Sequence, residues 1–263
     1  MANVPDSFWE ELPAANERVL ILDYDGTLAP FTTDRDHAWP YPGVREALAT
    51  IRTGGTRVVV ISGRSVENAR RLLGLEPPPE IWGSHGHMHL LPNGEIMQVP
   101  LAETARAALA QGAQSARQLA PGQAVEVKPA CVAVHWRGQP PPQARQMEQA
   151  VRAAWEPLTS AGVTIHPFDG GLELRSSAAD KGSAVNQLLA ELGSKAVIAY
   201  LGDDLTDEDA FAALAGRGLS VLVRPEWRDT RAQVWLKPPA ELLGFLERWQ
   251  ISQTRASAPP ESL

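Results

Sequence analysis

The chain has 263 residues, 44% hydrophobic and 21% charged, enough for one large domain or a core with a smaller inserted one. Its net charge of −7 argues against nucleic acid or an anionic membrane surface as a bulk partner, though a local cation can still draw an anionic small molecule into a cleft. The single cysteine, Cys131, excludes an internal disulfide and reads as a buried thiol in a reducing compartment.

The start, "MANVPDSFWEELP", has neither the basic end nor the apolar run of a leader peptide, and no stretch has the length of a membrane span. The expected location is cytoplasmic. "RVLILD" then reads as a strand buried on both faces, as in a parallel sheet. Val44, Leu48 and Ile51 recur at helical spacing, and "TGG" ends that helix. "TRVVVISG" is a second buried strand. Ser65 can cap a helix whose inner face is Val66, Ala69, Leu72 and Leu73, with Gly74 closing it. "EIWGSHG" gives a third short strand. His85, His87 and His89 follow at period two and read as cleft-lining or surface residues rather than a metal cluster.

The middle of the chain changes character. Residues 101–119 form an Ala-rich helix, after which "AVEVKP" and "CVAVHWRG" alternate, as in a sheet covered on one face only. A helix with Met147, Val151, Ala154, Trp155 and Leu158 follows. "VTIHPF" and "LELRS" read as a hairpin across the "DGG" turn at Asp169. The proline runs at 77–79 and 140–142 read as loops. The strand–helix alternation then returns: a helix through Val185, Leu188, Leu189 and Leu192, the strand "KAVIAYLG", a helix after Thr206 carrying Phe211 and Leu214, the strand "LSVLV", and a last helix with Leu242, Phe245, Leu246 and Trp249. The tail "SQTRASAPPESL" reads as disordered. A parallel α/β core of residues 1–98 and 177–263 thus carries an inserted α+β module over 99–176.

Ligands of open parallel sheets bind beyond the carboxyl ends of the strands. Four polar clusters fall there or at the start of a neighbouring helix: Asp23-Tyr24-Asp25-Gly26-Thr27, Ser62-Gly63-Arg64, Asp180-Lys181-Gly182 and the run Gly202–Asp209. Each has an ordinary structural use, as a turn, a solvated helix start, or a capping-box variant for Thr206 with Asp209. Together they form one edge of carboxylates, a hydroxyl and a lysine. Clustered carboxylates repel unless a cation neutralises them, and hard oxygen donors suit Mg²⁺ joined to phosphoryl oxygens. The remaining acids can divide the work of nucleophile and proton donor.

"LDYDGTL", "ISGR", "DKG" and "YLGDDLTDEDAF", in that order, resemble the haloacid dehalogenase superfamily of phosphohydrolases. "GSHG", "VEVKPACVAVHWR" and "LELRSSAADKG" are similar to signatures of its trehalose-phosphatase group. The resemblance implies a Rossmann-like core with an inserted cap that confers substrate specificity, and hydrolysis of trehalose 6-phosphate through an aspartyl phosphate. Another glycosyl phosphate, such as glucosylglycerol phosphate or a glycosylglycerate phosphate, is the alternative substrate. The implied roles are Asp23 as nucleophile, Asp25 as acid and base, Thr27 fixing the Asp25 loop, and Ser62 and Lys181 gripping phosphoryl oxygens. Mg²⁺ would be held by Asp23, the carbonyl of Asp25 and Asp203, with Asp204 and Asp207 in or near its shell. Gly26, Gly63, Arg64 and His85 would line the substrate site. Glu126, Lys128, Arg137 and Glu173 match cap positions that contact sugar hydroxyls, although Glu126 and Lys128 also suit the solvated face of a strand. The turn before Glu173 lacks the lysine usual in the group. The implied partners are a sugar-phosphate substrate and an associated sugar-phosphate synthase, with no nucleic acid and no membrane.

Overall fold

A computed structural model describes residues 4–32, 34–168 and 170–254. A short helix α1 (Asp6–Glu11) precedes β1 (Arg18–Leu22), four of whose five residues are buried. Helix α2 (Val44–Thr53) and β2 (Arg57–Ile61) follow. Helix α3 (Val66–Leu73) has the expected ends: Ser65 accepts from the Asn68 N–H, and Gly74 adopts the left-handed conformation that stops the helix. β3 (Glu80–Gly83) runs into a turn, and two strands absent from the sequence reading, β4 (Met88–Leu90) and β5 (Ile96–Gln98), extend the sheet.

The middle segment holds α4 (Glu103–Leu119), β6 (Val125–Lys128), β7 (Cys131–His135), α5 (Pro141–Trp155), β8 (Val163–Phe168) and β9 (Gly171–Ser176). Pro141 and Pro142 open α5 rather than forming a loop, because the first helical turn needs no N–H donors there. The chain closes with α6 (Lys181–Glu191), β10 (Val197–Gly202), α7 (Glu208–Leu214), β11 (Leu219–Val223), the unforeseen β12 (Val234–Leu236) and α8 (Ala240–Thr254). Ser252–Thr254 thus belong to α8; the rest of the tail read as disordered, and Asp169, lie outside the described residues.

The larger sheet has the order β12-β11-β10-β1-β2-β3-β4-β5. It is parallel from β12 to β3, with β4 antiparallel to β3. Chain order runs outward from β1 in both directions, so the crevice beyond β1 and β10 is a topological switch point. Leu20, Leu22, Val58 and Val60 pack with Leu48, Leu72, Leu246 and Trp249 on one face. Val19, Ile21, Val59 and Ile61 pack with Val185, Leu188 and Phe211 on the other. Burial on both faces is why these strands read as continuous apolar runs.

The chain divides into two compact units, one with residues up to Ile96 and from Lys181 onward, the other Met97–Asp180. The second unit is a four-stranded antiparallel sheet, β6-β7-β9-β8. Val132, Val134, Leu172 and Leu174 turn one of its faces onto Ala108, Leu109, Val151 and Trp155. Ser176 and Ser177 remain tied to it, through the carbonyls of Ala130 and Gly162. That unit therefore runs a few residues past the expected end at 176. No helix among the described residues is long and apolar enough to cross a membrane.

Candidate active site

Asp23 follows the last residue of β1 and is 4% exposed, with its N–H bonded to the Leu201 carbonyl. Lys181, first residue of α6 and also buried, places its Nζ 3.0 Å from Asp23 Oδ1 and 2.7 Å from Asp207 Oδ1. Burial alone would lower the lysine pKa, but Asp207 and Asp23 overcome it, and the ammonium is held above its ordinary value. Burial raises the Asp23 carboxyl to about 7 against the opposing pull of Lys181, with Asp207 and Asp25 adding repulsion. Burial, then repulsion from Asp23, Asp207 and Asp204, also drives Asp203 well above the usual carboxylate range.

Oxygens of Asp23, Asp203 and Asp207 lie within 4.8 Å of one another. Asp207 Oδ1 accepts from Lys181 and from Tyr200 Oη at 2.6 Å, and its Oδ2 accepts the N–H groups of Asp203 and Asp204 at 2.9 and 3.0 Å. Both Asp207 oxygens are thus committed, and its charge serves the lysine and the acid turn. Asp203 differs: its Oδ1 takes only a 3.4 Å bond from Thr27, and its buried Oδ2 accepts no hydrogen bond among the described residues. A buried carboxylate oxygen with no donor, facing other acids, fits a hard cation. Asp204 is only partly buried and spends its Oδ1 on the Leu205 N–H. The capping box at this turn is Asp204 with Asp207, not Thr206 with Asp209, because a 3-10 turn precedes α7.

The Asp25 loop folds back through the Gly26 N–H to the Ala29 carbonyl. Gly26 has φ +81°, and a Cβ there would stand 2.2 Å from Asp203 Oδ2. Glycine is demanded twice, by conformation and by the close approach of the acid. Asp25 itself is held by a two-pronged pair with Arg64, Nε to Oδ2 at 2.7 Å and Nη2 to Oδ1 at 2.6 Å. Arg64 Nη1 bonds the Arg35 carbonyl and Asn68 Oδ1. Arg64, expected on substrate, is thus engaged with the second acid of the first motif.

Ser62 is buried at the end of β2, where its Oγ accepts the Arg64 N–H. His85 packs on Gly63, where a Cβ would lie 2.6 Å from the imidazole. Ser84 and His85 both have positive φ, 50° and 57°, a costly conformation for side-chain-bearing residues that is found at sites where surroundings impose it. None of the three histidines is on the surface. All are buried, and His89 Nε2 lies 2.7 Å from Glu80 Oε1 and stacks on Trp82.

In the second unit, Ala133 pairs with Glu126 on one side and Glu173 on the other, and Glu173 pairs with His166. These residues form one row on the sheet face opposite the helices. Lys128, Cys131 and Arg175 form the next row. Glu126 Oε2 lies 3.1 Å from His135 Nε2, and Lys128 Nζ 3.5 Å from Glu126 Oε1. Arg137 lies beyond β7 against Gly170. Cys131 is buried, and burial with the nearby Glu173 pushes its thiol up, which makes it unreactive. Tyr200, His135 and Arg175 did not stand out in the sequence as site residues. The even spacing of Cys131, Ala133 and His135 carried a signal for the second; Tyr200 sits in an apolar run and gave none.

A lysine buried between two carboxylates, at the switch point of a parallel sheet interrupted by an α+β insert, is the design of the haloacid dehalogenase fold. Solved structures agree. The C-terminal domain of Candida albicans trehalose-6-phosphate phosphatase superposes with a TM-score of 0.80 at 21% identity, over 93% of this chain and 96% of that one. The Aspergillus fumigatus trehalose-6-phosphate phosphatase gives 0.67 at 25% identity, over 95% and 98%. A family model described as trehalose-phosphatase matches residues 21–232, and the chain belongs to that family. The trehalose-phosphate phosphatase of Mycobacterium tuberculosis is 34% identical over 247 residues, 89% of this chain. The chain spans 61% of the length of that relative.

Proposed function

We propose that the chain is a magnesium-dependent phosphatase that hydrolyses trehalose 6-phosphate to trehalose and phosphate. The observation that carries this reading is the buried set of Asp23, Lys181 and Asp203, in which Asp203 keeps an oxygen without a donor among the described residues. Asp23, Asp203 and the Asp25 carbonyl would hold Mg²⁺, with Asp204 at its margin. When bound, the ion supplies positive charge that offsets the clustered carboxylates and the phosphoryl oxygens.

An Asp23 oxygen attacks phosphorus in line. The phosphorus–oxygen bond to the sugar breaks, its electron pair stays on the sugar oxygen, and Asp25 delivers a proton there. Water then attacks the aspartyl phosphate, Asp25 takes its proton, and phosphate leaves with the Asp23 carboxylate restored. Lys181 and Ser62 hold phosphoryl oxygens, and Thr27 steadies the loop. Asp207 keeps Lys181 charged and aimed. Asp25 has to leave the Arg64 fork before it can serve the leaving group. Glu126, Lys128, Arg137 and Glu173 would recognise sugar hydroxyls in a specificity cap of residues 99–176. A reducing, cytoplasmic setting and association with a sugar-phosphate synthase belong to the same reading.

Phosphate release from trehalose 6-phosphate, glucose 6-phosphate and glucosylglycerol phosphate, with magnesium and with EDTA, tests the proposal. Magnesium-dependent turnover of trehalose 6-phosphate, at least about tenfold above the others in kcat/KM, is the expected result. Equal or faster turnover of another ester overturns the substrate, and full activity in EDTA overturns the metal.

A further inference from the structure

The loop between β11 and β12 returns to the acid turn. Arg228 Nε donates to the Asp203 carbonyl at 3.2 Å and Nη2 to the Asp204 carbonyl at 2.8 Å. Its Nη1 bonds Glu208 Oε1 at 2.5 Å and the Asp229 carbonyl at 2.8 Å. Glu208, the first residue of α7, is itself fixed by Thr230 Oγ1 and the Arg231 N–H, both at 2.8 Å. Arg228 and Glu208 are mostly buried, with 17% and 19% of their side chains exposed.

The peptide groups of the turn are therefore pinned from two directions. Asp207 accepts from the N–H groups of Asp203 and Asp204, and Arg228 donates to both their carbonyls, with Arg224 Nη1 adding a longer bond of 3.4 Å to that of Asp203. Only a guanidinium offers several donors in one rigid plane, so it can bond two successive carbonyls and a carboxylate at once. The turn needs such a clamp. Asp203 is a buried carboxylate set against Asp23, and like charges in a dry site push apart. A turn free to relax would swing the Asp203 Oδ2 away from the cluster.

We propose that Arg228 is a positioning residue, which acts through the backbone of Asp203 and Asp204 to keep Asp203 aimed at the cation site. This rests on the reading of that site as a magnesium site. The bonds described for Arg228 go to the two turn carbonyls, the Asp229 carbonyl and Glu208, which holds it through Nη1.

The test is calorimetric titration of the full chain with magnesium chloride, without substrate, alongside kinetics on trehalose 6-phosphate. Arg228→Gln is expected to weaken magnesium binding and lower kcat by about tenfold or more, with KM for the sugar phosphate little changed. Arg228→Lys, which keeps the charge and loses the fork, should recover part of both. Glu208→Gln should move magnesium binding the same way by a smaller factor, and it carries the test if Arg228→Gln does not fold by circular dichroism. Magnesium affinity within about twofold of wild type in the folded variants, even with a lowered Tm, overturns the proposal and leaves Arg228 a purely structural anchor. A wild-type chain that binds magnesium but releases no phosphate overturns the proposed function instead, because the titration needs no turnover.

Discussion

Asp23 faces opposing demands: burial favours its neutral form, while Lys181 favours its charge. Its folded pKa of about 7 stands above the ordinary 3.8, so between those values the folded chain keeps a proton that the unfolded chain has released. The stability this group contributes is therefore full below 3.8 and lost as pH rises through about 7. Asp203 shifts in the same direction. A cation competes with those protons, so the rise in Tm on adding magnesium should be larger at about pH 8 than at about pH 5.5. An equal rise at both would disconnect the metal from this pair. Asp23→Asn removes the charge that burial penalises. It should leave metal-free stability within about 1 kcal/mol of wild type or above it, yet lower kcat at least about a thousandfold, some 4 kcal/mol of barrier. Retention of more than about a tenth of kcat would rule out Asp23 as nucleophile. Tyr200→Phe strips one donor from a buried carboxylate and should cost about 1.5–3 kcal/mol in urea unfolding.

Elements position these residues through their ends. β1, β2 and β10 end at Leu22, Ile61 and Gly202, immediately before Asp23, Ser62 and Asp203. Their apolar runs were plain in the sequence, as were the Ser65 and Gly74 ends of α3. β4, β5 and β12 were not, because three residues give no period to read. The start of α5 was hidden by a proline run that suits a loop equally well. At the acid turn, Gly26→Ala would force a side chain onto Asp203 and strain a backbone at φ +81°. Magnesium-dependent activity should fall at least about tenfold, with stability also reduced. Ser65→Ala removes only a helix cap, and should cost about 1 kcal/mol of stability while leaving the magnesium affinity unchanged.

Across the whole molecule there are two units with separate cores, which on the proposed reading divide the chain's residues between chemistry and recognition. The second unit spends its apolar face on α4 and α5 and leaves Glu126, Glu173 and His166 in one row on the other. If that row recognises sugar hydroxyls, Glu126→Ala should lower kcat/KM for trehalose 6-phosphate by about tenfold or more, since such bonds are worth about 1.5–3 kcal/mol. Hydrolysis of a small aryl phosphate by the same variant should change less than about twofold. Equal losses on both esters would remove Glu126 from substrate recognition.

The sequence by itself determined the α/β class, the inserted module, and the order of the polar clusters along one sheet edge. These depend on local periodicity and on which residue follows each buried strand. It could not decide how the acids share their work. Asp203, Asp204 and Asp207 are three carboxylates within five residues, alike in composition. Tertiary structure separates them: Lys181 and Tyr200, from other elements, saturate Asp207, the local turn occupies Asp204, and Asp203 keeps an oxygen with no donor among the described residues. The Arg64 grip on Asp25 and the Arg228 clamp likewise join residues 39 and 25 positions apart. Hydrogen-bond partners brought together by the fold leave no periodic trace in the chain, and that is why only the folded molecule assigns them.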